Sequence, residues 1–504
     1  MPGKFLKFFT PFVKIMPEIK QPQREVTFKE KFIWTAIVLI IYLLMSNVPL
    51  YGVNIQQSTD YFYWLRVILA SQRGMLTELG IGPIVTAGLI MQLLLGSRII
   101  KVNMSDPYDR AMFSGAQKVL SIFLTIFNAT AYIMGGAFGP LAIDRAFFVF
   151  FQLLFAGIVI ILLDEVLQKG WGLGSGVSLF IAAGIAGQIF WNCFSLIPTP
   201  LPTATDNPAD GLARGVVIAF FQALFDGNPD NAGQLNTLFI RVFGAGNRYP
   251  SLLGVITTIV IFVIVIWFES TRVEIPLAYR GSRGFKSKYP MKLLYVSNIP
   301  VILVNALYAN ILFFAQLLAG PHSGIRAENG GLIPDFWVNL IGTFNEVQGG
   351  STQGTQLVPT GGLVYLLTPP RGIDDFILNP ARGFIYLAIF IVLCVMLGRV
   401  WVEVSGLAPR DIAQQIIDSK MQIPGFRSSS KVIERILKRY IPTLVILNGF
   451  IIASLSFGAD TLGALSSGTG LLIAIGIIHQ YAEQISKELA ASQYPGLRAM
   501  LGMD

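Results

Sequence analysis

Charge is scarce in this sequence. Of 504 residues, 13% are Asp, Glu, Lys or Arg and 53% are hydrophobic, and the mean hydropathy is +0.61. A soluble domain carries roughly 25% charged residues, and a large soluble protein would not need ten long apolar runs in succession. The deficit selects a polytopic helical membrane protein. Cysteine and histidine are nearly absent too. Cys193 and Cys394, at ends of apolar segments far apart in sequence, read as two packed thiols rather than a disulfide or a metal pair. His322 and His479 have no partners at metal-ligand spacing, so no metal or other cofactor is expected. The N-terminal KFLKFFTPFVKIMPEIK lacks a continuous apolar core and an A-x-A site. A cleavable leader is therefore not expected, and residues 1–31 read as a cytoplasmic amphipathic segment at the interface.

Catalytic patterns are missing as well. WGLGSGVS (171–178) has the glycines of a phosphate loop but not its Lys-Ser/Thr or the strand before it, which leaves a tight loop and close helix packing. The apolar runs hold almost no ionisable groups. Asp164, Glu165, Glu274 and Glu403 fall at cytoplasmic ends, where each is expected to pair with a nearby cation. Charges at a span centre cost about 2.5–3.5 kcal/mol each and mark ion and proton paths. Their scarcity argues against a proton-coupled pump and against a secondary transporter of small solutes. With no nucleophile, base or metal constellation, the chain is not expected to be an enzyme.

What is present is a series of apolar segments near 32–50, 76–97, 112–134, 147–168, 176–197, 251–270, 293–318, 382–404, 441–458 and 462–480. Alternating them across a bilayer from an inside N-terminus puts every lysine on the cytoplasmic side, with both chain ends there. The net charge of +8 belongs mostly to those cytoplasmic segments, including loops 271–292 and 405–440 and the tail 484–504. On the other side, 198–250 and 319–380 are long; GVVIAFFQALF within the first is too short to span and is expected to lie on or dip into the outer face. Spans one to five (32–197) and six to ten (251–483) form two halves. Five is odd, so similar halves would be inverted. No clear sequence repeat accompanies that count.

One span is broken. GMLTELGIGPIVTAGLIMQLLLGS (74–97) is apolar, but Gly80, Gly82 and Pro83 interrupt it. Pro83 suits a first helical turn. A helix from there to Leu95 is roughly 20 Å long at ~1.5 Å per residue, short of a ~30 Å hydrocarbon core. Upstream, YFYWLRVILA (61–70) is a second short piece carrying Arg66. Irregular backbone at membrane depth survives only inside protein or beside water. Ile81 and Val85 share a helical face, and Val177 and Ile181 repeat the spacing after a Gly-rich start. A ring of such side chains can close a water path by dewetting.

GIGPIVTAGLIMQLL (80–94), LDEVLQKGWGLGSGVSLFIAAGI (163–185), RVEIPLAYR (272–280), KYPMKLLYVSNIPVIL (288–303), LKRYIPTL (437–444) and LGALSSGTGLLI (462–473) closely resemble the SecY-type protein-translocation channel, its archaeal branch most of all. The resemblance implies an all-α polytopic fold with ten transmembrane helices in two pseudo-symmetric inverted five-helix halves around a central pore. It implies a pore ring of Ile81, Val85, Val177, Ile181, Ile302 and Ile473. A plug over 61–74 would include Trp64, Leu65, Arg66, Ile68, Leu69 and Arg73, its arginines wetted by the outer funnel. A lateral gate between spans two and three and spans seven and eight would carry Thr86, Gln92, Asn128 and Asn310. Ribosome contacts would come from Arg280, Arg283, Lys286, Arg427 and Lys431, although the positive-inside bias alone accounts for basic loops. The implied partners are a SecE-type gamma subunit, a small beta subunit, the ribosome with its nascent chain, signal sequences and membrane lipid, in the cell membrane. The 198–250 insertion is longer than that family leads one to expect.

Overall fold

In hydrocarbon a helix satisfies every backbone group within its own segment, and each expected apolar run lies on one. The computed structural model describes residues 4–24, 26–53, 66, 69–96, 99–100, 102, 107–139, 141–198, 212–225, 238–243, 247–279, 286–319, 334–348, 355–370, 372–419, 421–422 and 429–493. Among these, an N-terminal helix α1 (Lys4–Ile15) packs on α4 (Pro107–Met134), Val13 filling the space over Gly115. The first five spans are α2 (Phe28–Met45), α3 (Gly82–Gly96), α4, α5 (Ile143–Gln168) and α6 (Gly176–Phe194). A short α7 (Val216–Phe225) precedes α8 (Leu252–Ser270) and α9 (Ile299–Ala319). Small helices α10 (Asp335–Ile341), α11 (Gly362–Leu366) and α12 (Gly372–Leu378) lead into α13 (Pro380–Val404). Then come α14 (Pro409–Asp418), α15 (Ser430–Thr461) and α16 (Gly468–Gln493).

Seven described helices are long and apolar enough to cross a membrane by themselves. The remaining spans fall short for visible reasons. Helix α2 opens on Lys29, Glu30 and Lys31 behind a Thr27–Glu30 capping box, α3 has only 15 residues, and α16 runs on into QYAEQISKELAASQ.

The halves repeat one packing order. In each, the second span packs on the third, the third on the fourth and the fourth on the fifth, while the first lies against the fourth and fifth. Across the halves, α6 meets α16, and α3 meets α9 and α13. A sequence repeat does exist, contrary to expectation. SGVSLFIAAGI (175–185) on α6 and SGTGLLIAIGI (467–477) on α16 share Ser, Gly, Leu, Ile, Ala, Gly and Ile in register. Each begins against a carboxylate from the preceding span, buried at Asp164 and half-buried at Asp460. Asp164 Oδ1 accepts the Val177 N–H at 3.0 Å, and Asp460 Oδ1 accepts the Gly468 N–H at 2.7 Å. A carboxylate there satisfies an orphan donor and the helix dipole together. Gly is needed at both starts: a Cβ on Gly176 would lie 2.6 Å from the Asp164 Cα, and one on Gly468 would strike the Ser456 carbonyl.

That use of Asp164 corrects its expected pairing with a cation; its other partners are Gln168 and Ser175. Glu165 does pair, with Lys118 at 2.7 Å, and Glu274 with Lys288 at 2.5 Å. Cys394 lies mid-way along α13, fully buried, rather than at its end.

Beyond the spans, β1 (Val242–Phe243) pairs with β2 (Asn247–Arg248), and β5 (Thr343–Gln348) with β6 (Thr355–Gly361), all antiparallel. On the opposite face, β3 (Arg272–Tyr279) and β4 (Lys286–Lys292) form a hairpin to which β7 (Met421–Gln422) adds, in the order β4-β3-β7. Ile275, Leu277 and Met291 from the hairpin share a core with Ile412 and Ile416 of α14 and Ile433 and Leu437 of α15. The described parts of 271–292 and 405–440 are thus one packed unit.

Candidate functional site

The site is organised by the backbone just before α3. Gly80 has φ +52°, open to glycine at no steric cost, and a Cβ there would collide with the Leu69 carbonyl. That carbonyl accepts the Ile81 N–H at 2.8 Å. The same segment is stitched to the end of α2: Leu50 N–H donates to the Gly74 carbonyl at 2.8 Å and Leu76 N–H to Val48 at 2.9 Å. The Tyr42 hydroxyl donates to the Ala70 carbonyl at 2.6 Å. Helix α3 starts at Gly82 with Pro83 second, as Pro at a first turn requires.

A buried polar knot holds this turn. The Arg66 guanidinium lies 3.3 Å from Glu78 Oε1 and donates to Ser71 Oγ at 3.1 Å. Glu78, 4% exposed, also accepts the Gly74 N–H, and its carbonyl accepts the Ser71 hydroxyl. Arg66 is therefore not a wetted arginine: its side chain is 13% exposed, and a buried charge persists because a countercharge sits beside it. Glu78 was missed because it falls in a run scored as apolar; the available signal was an acid close in sequence to Arg66 and Arg73. Arg73 is half-buried and Leu69 buried. Trp64, Leu65 and Ile68 lie outside the described residues.

All six expected ring residues belong to one apolar cluster. Ile81, Ile181 and Ile473 are fully buried; Val85, Val177 and Ile302 are half-buried and pack against the same large cluster. Ile181 and Ile473 are equivalent positions of the repeat. Among the four expected gate residues, two meet: Asn310 Nδ2 on α9 donates to Thr86 Oγ1 on α3 at 3.0 Å. Beside this contact α4 and α9 join through aromatic rings, Tyr132 on Phe313 at 5.3 Å and Phe127 on Phe314 at 6.1 Å. Gln92 Oε1 is buried with no partner among the described residues, and Asn128 is half-buried next to Phe127. Neither touches the Thr86–Asn310 bond. Helix α3 also closes on α13, where the Gly96 Cα position leaves 2.7 Å between a built Cβ and Val400.

Of the expected ribosome contacts, Lys431 is exposed on α15 and Lys286 opens β4. Arg280, Arg283 and Arg427 lie outside the described residues.

A broken second span, an apolar shell at its break and two inverted five-helix halves coincide with a family. The SecY model matches residues 75–482, and the model for the plug domain of Sec61p matches residues 40–74. The chain belongs to the SecY family. Similar solved structures include a protein-conducting channel, at 36% identity over 96% of this chain and 98% of that one, with TM-score 0.74. A SecY protein, whose plug domain stabilises the closed translocation channel and maintains a membrane seal, matches at 36% identity over the same shares with TM-score 0.73. Sec61 of the canine ribosome–channel complex from the endoplasmic reticulum matches at 35% identity, again over 96% and 98%, with TM-score 0.72. The protein is accordingly a multi-pass SecY-family membrane protein, all-α with ten spans, whose family function is protein conduction.

Proposed function

We propose that the chain is the pore-forming subunit that carries secretory polypeptides across the cell membrane and releases membrane-protein segments sideways into lipid. The observation behind this reading is the Leu69–Ile81 hydrogen bond. It ties the plug segment to the first ring residue, so moving the plug disturbs the seal directly. In this scheme Ile81, Val85, Val177, Ile181, Ile302 and Ile473 exclude water while gripping nothing, and 61–74 blocks the path at rest.

The halves 32–197 and 251–483 part at α3 and α4 against α9 and α13, with Gln92 and Asn128 on the opening walls. An apolar signal segment drives this. Ten Leu, Ile, Phe or Val residues gain roughly 3–6 kcal/mol on entering lipid. A single hydrogen bond such as Asn310–Thr86 is worth about 0.5–1.5 kcal/mol net. The bond therefore sets a threshold that an apolar segment overcomes, shifting a closed–open equilibrium. The chain performs no catalysis, and the driving force comes from a ribosome seated on the cytoplasmic unit. There Arg280, Arg283, Lys286, Arg427 and Lys431 face RNA phosphates. Both termini are cytoplasmic, and a SecE-type gamma subunit and a small beta subunit complete the complex.

The test is resting conductance. Ile81→Gly combined with Val85→Gly, reconstituted with the small subunits in a planar bilayer, is expected to pass ions without substrate. Conductance equal to the parent's rejects the ring.

A further inference from the structure

Helix α7 is built inside out. Its protein-facing stripe is Val216, Ala219 and Ala223, all buried, whereas the large apolar side chains Phe221, Leu224 and Phe225 are exposed and Phe220 is half-buried. The exposed three fall at i, i+3 and i+4, a single face, and the Phe221 and Phe225 rings stack at 6.5 Å. In water this would bury the small residues and leave most of the apolar area wet, the reverse of what burial rewards. Against hydrocarbon it is the expected order, with small residues toward protein and large ones toward lipid.

The helix is also placed for lipid. It packs against α6, and it is launched from that helix's end. Gly215 N–H donates to the Ser195 carbonyl at 2.9 Å, and a Cβ on Gly215 would lie 2.5 Å from the Ser195 nitrogen. On α6 the outward residues of this region are Phe190, Trp191 and Phe194, all exposed on a membrane span. Helix α7 thus adds exposed apolar side chains next to a span that carries its own. Ten residues make roughly 15 Å of helix, the depth of about one leaflet of a ~30 Å core.

The segment before α7 and its small-residue face are also tied toward the second half. Arg241, 3% exposed, donates to the Ala213 carbonyl at 3.0 Å and lies over the Tyr249 ring at 5.5 Å. Leu252 of α8 packs on the cluster of Leu212, Ala219, Ala223 and Leu238. We propose that α7 sits in the hydrocarbon of the leaflet away from the β3–β4 hairpin and moors the α6–α8 joint between the halves to lipid.

Site-directed nitroxides test this. With Cys193 and Cys394 replaced by Ser, the full chain carries Phe221→Cys in one protein and Phe225→Cys in another. Phe190→Cys serves as a lipid-facing reference and Lys431→Cys as an aqueous one. Each is reconstituted with the small subunits in phosphatidylcholine–phosphatidylglycerol vesicles, and collisions with oxygen and with a water-soluble nickel chelate are measured. The proposal predicts high oxygen and low nickel access at 221 and 225, matching 190 and opposite to 431. Nickel access like that at 431 places the helix in water and overturns the proposal. Low access to both reagents means a protein covers this face, and it overturns the proposal equally. The two labels are in separate proteins, so a poorly folded variant at one leaves the measurement at the other.

Discussion

The apolar shell around Ile81 and the polar contacts that flank it differ in what each can specify. Hydrophobic contact is non-directional and depends on area removed from water, so Ile81, Val85, Val177, Ile181, Ile302 and Ile473 can close on themselves or on a passing side chain without a preferred partner. Hydrogen bonds and ion pairs demand fixed partners. Arg66–Glu78 lies on one side of the break and Asn310–Thr86 on the other, and in the proposed scheme they would select one arrangement of plug and gate. Under the proposed scheme the apolar residues would seal the path without gripping a chain, while the two polar contacts would hold the resting arrangement.

The largest expected effect comes from the buried latch. Removing one partner of a buried pair leaves a charge uncompensated and costs about 3–5 kcal/mol. Glu78→Ala is therefore expected to lower thermal stability in detergent by that order, and Glu78→Gln, which keeps an acceptor for the Gly74 N–H, by less. A Glu78→Ala protein as stable as the parent would show that the knot does not hold the plug segment. A smaller effect is expected at the gate. Asn310→Leu removes one hydrogen bond worth about 0.5–1.5 kcal/mol, so weaker signal segments should be accepted at a given chain length. A Thr86→Val, Asn310→Leu cycle read by translocation efficiency separates the pair from its parts, and strict additivity would mean that the bond is not a latch.

The smallest effect belongs to a surface pair that resembles the latch only in chemistry. Lys169 hydrogen-bonds Glu18 at 2.6 Å and holds its carboxyl below the ordinary value of 4.5, although Glu18 is 66% exposed. A depressed folded value means the tie is fully present above pH 4.5 and is lost as pH falls through the lower folded value. Release of the N-terminal segment to protease should rise at acid pH in low salt, and high salt should blunt that dependence because exposed pairs are screened. The Arg66–Glu78 knot should show little salt response. Equal salt sensitivity would erase the distinction between buried latch and surface tie.

The break before α3 was more legible in the sequence than the polar contacts beside it. Gly80, Gly82 and Pro83 punctuate an apolar run and mark the break without any tertiary knowledge, and hydropathy locates each span. Span limits were less accurate where a helix leaves hydrocarbon. Helix α15 begins at Ser430 rather than near 441 because its polar first turns pack on the β3–β4 hairpin. Hydropathy registers lipid there and not the end of the helix. The polar contacts were hidden because their partners are chosen by packing. Nothing local in DEVLQKG says that Asp164 caps α6 instead of meeting a lysine, and β7 reaches β3 from far along the chain. The 175–185 and 467–477 repeat escaped notice because the sequences around it diverge; the matching carboxylate caps at each helix start reveal it.

The central claim is that six apolar side chains from α3, α6, α9 and α16 surround the moving polypeptide. The direct measurement is photo-cross-linking, with the chain reconstituted with its small subunits and a nascent secretory chain of increasing length carrying the probe. Cross-links to Ile81, Val85, Val177, Ile181, Ile302 and Ile473 are predicted while the probe passes the middle of the membrane, then their loss as it moves on. Probes that pass without reaching any of the six, or that bond only to outward residues such as Phe190, would contradict it.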